Sequence, residues 1–140
     1  MATMQLCGSL EHLATIRSFV AQTSRDLGTD GQDVYDLCLA VDEICANVFI
    51  HGYDRQGGRI EVTVEPADDG IRVRVRDWGK AFDPQQVPVP NLECGLEERP
   101  LGGVGLYLVR QIMDDVRFEF DGEHGNVVTM LKRAREGGAR

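Results

Sequence analysis

No stretch of this 140-residue chain stays apolar over the roughly 20 residues a bilayer-spanning helix needs, so an integral helical membrane protein is not expected. The opening MATMQLCGSLEHL lacks the basic and apolar regions of a signal peptide. Positive charge is in deficit. Lys and Arg number 15 against 23 Asp and Glu, and the net charge of −8 argues against non-specific binding to nucleic acid or acidic membranes. Cysteine is sparse and unpaired in pattern. None of Cys7, Cys38, Cys45 and Cys94 forms a CxxC. Cys38 and Cys45 fall seven apart within one helical pattern, about 10 Å along its axis, too far for a disulfide. The thiols are expected to be buried and reduced, in a cytoplasmic protein. Repeats and low-complexity blocks are absent too. The expectation is one domain over residues 1–134, large enough to bury a core, with a loose tail at 135–140.

What is present alternates between strand and helix periods. TMQLC reads as a short strand. SLEHLATIRSFVAQTSRDLG reads as an amphipathic helix with Ser9 at its N-cap and Gly28 just past its end. DGQDVYDLCLAVDEICANVFIHG is a longer helix, starting near Gly31–Asp33 and stopping at Gly52. GRIEVTVEP and GIRVRVRD alternate with period two about the turn ADDG, which predicts a hairpin. Ile60, Val62, Val64, Ile71, Val73 and Val75 take one face; Glu61, Glu65, Arg72, Arg74 and Arg76 take the other. Opposite charges on facing strands suit a solvated face, so the helices are expected on the opposite side only. A Pro- and Glu-containing segment follows, DPQQVPVPNLECGLEERPLGG. VGLYLVRQIMDD then reads as a third helix, and VRFEF and NVVTMLKR as a closing hairpin around DGEHG.

The long helix contains a contradiction. At about 100° per residue, Val34, Cys38, Val41, Cys45 and Val48 cluster on one side, which must face the sheet. Glu43 and Asn47 fall nearly opposite, with Asp36, among Leu39, Ala40, Ala46 and Ile50. A helix apolar almost all round is covered on both sides, and a covered carboxylate and amide need partners. Two further signals are individually ordinary. Asp77 ends a strand two residues before Gly79; a carboxylate there can accept a hydrogen bond from an exocyclic amine while the glycine admits a flat ring. LGGVGLYL is a glycine loop running into a helix, whose free N–H groups and dipole favour an anion. It is neither a Walker loop nor a dinucleotide fingerprint. Taken singly, a surface Glu and Asn, a plain strand-end turn and a Gly-rich helix start explain them equally well.

Their conjunction is more specific. In order the chain carries Glu43-xxx-Asn47-xxx-His51, Asp77-x-Gly79-xx-Phe82-Asp83 and Gly102-Gly103-Val104-Gly105-Leu106. This resembles the ATP-binding fold shared by gyrase, the ninety-kilodalton heat-shock chaperone, sensor histidine kinases and the mismatch-repair ATPases. The short chain and the HGY at 51–53 narrow the resemblance to the bacterial anti-sigma-factor serine/threonine kinases, over about residues 5–133. The resemblance implies that Asn47 offers its amide oxygen to Mg²⁺ and that Glu43 is the general base. It implies that Asp77 holds the adenine amine with Gly79 beside the ring. Gly102, Gly103, Val104 and Gly105, with the helix start at Leu106, cradle the phosphates. The segment from about 85 to 101 is an ATP lid ordered by ligand, with Arg99 as a candidate cation near the terminal phosphate and equally a solvated arginine. His51 reads as a helix-end or packing residue.

One departure stands out. The family commonly begins its last strand with a Gly-Thr pair whose hydroxyl backs the adenine site; here the segment is GNVVTM, with Val127 where a hydroxyl is usual and Thr129 at the same strand parity. Pro88, Pro90 and Pro100 in the lid limit its motion. The expected fold is a two-layer α/β sandwich, a mixed, largely antiparallel sheet with helices on one face. The expected function is ATP- and Mg²⁺-dependent phosphorylation of a Ser or Thr of an anti-anti-sigma antagonist, with sequestration of a sigma factor as the other arm of a partner switch, by a homodimer. Two alternatives compete: a non-catalytic ATP-binding or sigma-sequestering module, and a histidine-kinase-type ATPase domain. The second is disfavoured because no helical hairpin with an acceptor His precedes the domain, His12 being the only upstream candidate.

Overall fold

The computed structural model describes residues 1–81 and 103–134. The proposed lid, Arg99, Gly102, Cys94 and the tail lie outside the described residues. Strand β1 (Ala2–Gly8) leads through a single 3₁₀ turn at Leu10–His12 into helices α1 (Leu13–Asp26) and α2 (Gly31–Asn47), the latter extended by a π-helical turn at Val48–Gly52. Strands β2 (Gly58–Ala67) and β3 (Gly70–Asp77) follow, then helix α3 (Gly103–Ile112) and strands β4 (Asp115–Asp121) and β5 (Gly125–Arg133). The sheet order is β1-β2-β3-β5-β4, and the helices lie on one face. Every pairing among the described residues is antiparallel, so the expected admixture of parallel pairs is corrected. The reason is connectivity. Two helices, not one, separate β1 from β2, so the chain reverses once more than in a βαβ unit.

Both expected hairpins form, with the predicted faces. Ile60, Val62, Val64, Ile71, Val73 and Val75 are all essentially inaccessible and pack on Ile16, Val20, Val41, Cys45 and Phe49 of the helical layer. Burying each such side chain contributes about 2 kcal/mol. On the open face Glu65 accepts from both Arg72 (3.2 Å) and Arg74 (2.8 Å), the cross-strand charge pairing expected there. Cys38 and Cys45 are buried in α2, but Cys7 is exposed, which corrects the expectation of wholly buried thiols: it lies at an outward position of edge strand β1.

The helical wheel of α2 holds only in part. Cys38, expected toward the sheet, donates its thiol to the Arg17 carbonyl of α1 at 3.7 Å, while α3 packs on the second side, against Glu43. Asp36, placed by periodicity on that second side, is 12% exposed in its side chain and pairs with Lys132 of β5 at 3.2 Å; it also accepts from Gln32 Nε2 at 3.0 Å. The same ammonium donates to the carbonyl of Ile112 at 2.5 Å, tying α2, the end of α3 and β5 together. Removing one member of such a buried pair strands the other charge. Lys132→Met should therefore lower the free energy of unfolding in urea by about 3 kcal/mol, and Asp36→Leu added to it should recover much of the loss.

Candidate functional site

The carboxyl end of β3 is held by an unusual number of polar contacts. The π-helical turn lets the chain leave α2 with Tyr53 N–H on the carbonyl of Val48 (3.0 Å). It thereby sets Gly52 and Tyr53 against residues 77–80. The Tyr53 hydroxyl accepts the N–H of Trp78 (2.8 Å) and donates to the carbonyl of Arg59 (2.6 Å). The N–H of Lys80 reaches the carbonyl of Gly52 at 2.8 Å. Gly79 is pressed so closely on that carbonyl that an added Cβ would stand 2.5 Å from the oxygen; only glycine fits.

Within this frame Asp77 is 5% exposed. Its Oδ1 accepts the N–H of Gly79 (2.9 Å) and the Nδ2 of Asn126 (3.0 Å). Asn126 Nδ2 also donates to the carbonyl of Gly79 at 3.0 Å. Burial pushes the Asp77 carboxyl above the usual range, and the two hydrogen bonds partly offset it. Asp77 and Asn126 open onto a small cavity between α2 and the sheet. Ile44, Val48, Phe118 and Val128 give it apolar walls, while Asn47 and Lys80 add polar groups toward its rim. Apolar walls with a buried acceptor among them suit a heterocycle carrying an amine.

Asn47 shares that cavity with Asp77. Glu43 lies one turn earlier on α2, about 6 Å along the axis, and half-buried. Burial first, and then the neighbouring charge of Asp42, raise its carboxyl above the ordinary glutamate range. The first turn of α3 packs on it: a Cβ at Gly105 would collide with Glu43 Oε2. Helix α3 is described from Gly103 onward, so a helix start as late as Leu106 is corrected. Gly103, Val104 and Gly105 are already helical, and Leu106 is 3% exposed. A side chain at 105 would push the Glu43 carboxylate out of its present place.

Thus Asn47 and Asp77 line one cavity, with Gly79 hydrogen-bonded to Asp77 behind it and Glu43 one helical turn beyond Asn47, against Gly105 of the helical segment that includes Gly103, Val104 and Leu106. Asn126 was missed, and the reading of the last strand is corrected by its register. Val127 and Thr129 stand opposite Arg76 and Arg74 on the open face of the sheet. Neither can back the cavity. Asn126, opposite Asp77, does. The signal was available: in a strand, 126 shares parity with the core residues Val128 and Met130.

The chain matches the histidine kinase-like ATPase domain over residues 7–132 and belongs to that family. It is similar to the proteins named serine-protein kinase RsbW of Bacillus cereus and of Bacillus thuringiensis subsp. konkukian. Identity to each is 29% over 133 residues, covering 92% of this chain and 82% of the relative.

The raised carboxyl of Asp77 has a consequence for stability. Its pKa in the folded chain exceeds that in the unfolded one, so its charge opposes folding above the unfolded carboxylate range, and the penalty is relieved as pH falls through the raised value. Asp77→Asn keeps an oxygen for Gly79 and Asn126 and removes the charge. The ligand-free variant should melt at or above the wild-type Tm at neutral pH by calorimetry, while losing nucleotide binding.

Proposed function

We propose that this chain is an ATP- and Mg²⁺-dependent serine/threonine protein kinase and anti-sigma factor. It phosphorylates an anti-anti-sigma antagonist and, in the alternative arm of the switch, holds a sigma factor. The observation that carries the reading is the line from Asp77 through Asn47 to Glu43, a buried amine acceptor, a metal-suited amide and a carboxylate against Gly105 of α3. The similarity to proteins named serine-protein kinase points the same way. The working unit is a cytoplasmic homodimer of one ATP-binding domain spanning 1–134.

The residues present fit both ATP and Mg²⁺. Asn47 supplies one neutral oxygen, and Mg²⁺ commonly takes one or two protein ligands and completes its shell with phosphate oxygens and water. When bound, the nucleotide supplies the transferable phosphoryl group and the metal neutralises its charge. The chain's own residues do the rest. Asp77 Oδ2 accepts the base amine, since Oδ1 is taken, and Ile44, Val48, Phe118 and Val128 enclose the ring. The first-turn N–H groups from Gly103 to Leu106 face the phosphates and favour negative charge, which a chain of net charge −8 must otherwise repel. Glu43 takes the proton from the attacking Ser or Thr hydroxyl, and Arg99 supplies a cation from the lid. Such transfer is mostly positioning and charge stabilisation. The raised pKa of Glu43 makes it a stronger base than a solvated glutamate, and protonation on acidification removes that base.

Two measurements test this. Calorimetry with Mg²⁺ and with chelator should show metal-dependent ATP binding by the wild type, and Asn47→Ala should weaken it and shrink that dependence. Equal, metal-independent binding by both would overturn the role of Asn47. Glu43→Gln should slow transfer of labelled phosphate to the cognate antagonist by roughly 10²–10⁴-fold with ATP affinity nearly unchanged. Wild-type-like transfer by the variant would remove Glu43 as the base, and a wild type inert toward every antagonist encoded nearby would favour the non-catalytic module.

A further inference from the structure

The amide of Asn126 sits where it decides what Asp77 can recognise. Both groups its Nδ2 meets, Asp77 Oδ1 at 3.0 Å and the Gly79 carbonyl at 3.0 Å, are acceptors only. The amino end of the amide must therefore face them, and both its hydrogens are used. The contact is rigidly based, because Asn126 is the cross-strand partner of Asp77 on β5. The other donor to Oδ1 is Gly79 N–H, two residues away on the same segment, which alone leaves the side chain free to follow local motion. Asn126 adds a tether from a second strand and binds the 77–79 turn to it. A hydroxyl at this position has one hydrogen and could satisfy one acceptor; the amide satisfies two at once.

We infer that Asn126 is the positioning residue for Asp77: by saturating Oδ1 from β5 it commits Oδ2 to the exocyclic amine of an adenine base, and so sets the preference for a 6-amino over a 6-unsubstituted or 6-oxo purine. The inference rests on the ATP reading above and names the residue behind its base specificity. With Oδ1 occupied, the carboxylate offers acceptor capacity alone toward the slot. A 6-oxo group would meet it acceptor to acceptor, and an unsubstituted ring would leave it unpaired in a nearly dry site.

The test compares Mg²⁺-dependent binding of ATP, GTP and purine riboside triphosphate, the same ring without the amine, to wild type, Asn126→Ala and Asn126→Thr. Circular dichroism checks that each variant is folded. The wild type should prefer ATP over the amine-free analogue by about 10–100-fold, the range for a hydrogen bond to a charged group. In Asn126→Ala that preference should collapse to a few-fold, because ATP weakens while the analogue binds as before. Asn126→Thr, with one donor left, should restore part of it. Equal weakening of ATP and the analogue in Asn126→Ala would show a merely structural role and overturn the inference, as would an undiminished preference for ATP. A wild type that binds none of the three would instead overturn the ATP reading, and the inference with it.

Discussion

A carboxylate buried at the end of a central strand is the constraint around which this molecule is arranged. Asp77 is 5% exposed, and an ionised group so placed is tolerated only where hydrogen bonds replace its water. Among the described residues the hydrogen bonds reach one oxygen, Oδ1. A carboxylate finished for stability would have both oxygens satisfied. One left open toward a cavity is a binding determinant that lowers the stability of the empty protein, the usual trade at functional sites.

The distinctive features of the middle of the chain follow from that arrangement. The wider π-helical turn at Val48–Gly52 swings Tyr53 under residues 77–80, where its hydroxyl takes one backbone N–H and returns its hydrogen to Arg59. Gly52 and Gly79 meet backbone to backbone. Arg59 lies over the Trp78 ring at 3.9 Å and closes the outer side. The HGY segment thus works as a clamp on the strand end that carries Asp77, which accounts for a tyrosine and a glycine there without giving either a chemical step.

At the other end of the site α2 and α3 meet through Glu43 and Gly105. Gly105 lies directly against the Glu43 carboxylate, whose pKa is raised chiefly by burial. The Lys132–Asp36 pair anchors the far ends of the same two helices to β5. The relative placement of α2 and α3 is thus set by close packing at Glu43 and by an ion pair at the other end.

Period and punctuation were enough for most of the architecture. Alternating Ile and Val in 60–64 and 71–75 specify two strands with one dry face, and the glycine- and aspartate-containing turns pair them. The 3.6-residue period of 31–48 specifies a helix buried on two sides, which is why Glu43 and Asn47 stood out at all. These are local properties, carried by residues adjacent in the chain. Four things were not local. The wholly antiparallel sheet depends on how many helices separate its strands. The packing of α3 at Gly105 on Glu43 joins two helices far apart in the chain. Cys7 is exposed because β1 is an edge strand. The choice of Asn126 over Val127 or Thr129 depends on the β3–β5 register, and a one-residue shift in a strand exchanges its faces. Sequence alone determined which residues must be buried and which buried residues are chemically out of place; which of them touch was decided only when strands 49 residues apart were brought side by side, because a hydrogen bond between Asp77 and Asn126 has no trace in the local pattern of either.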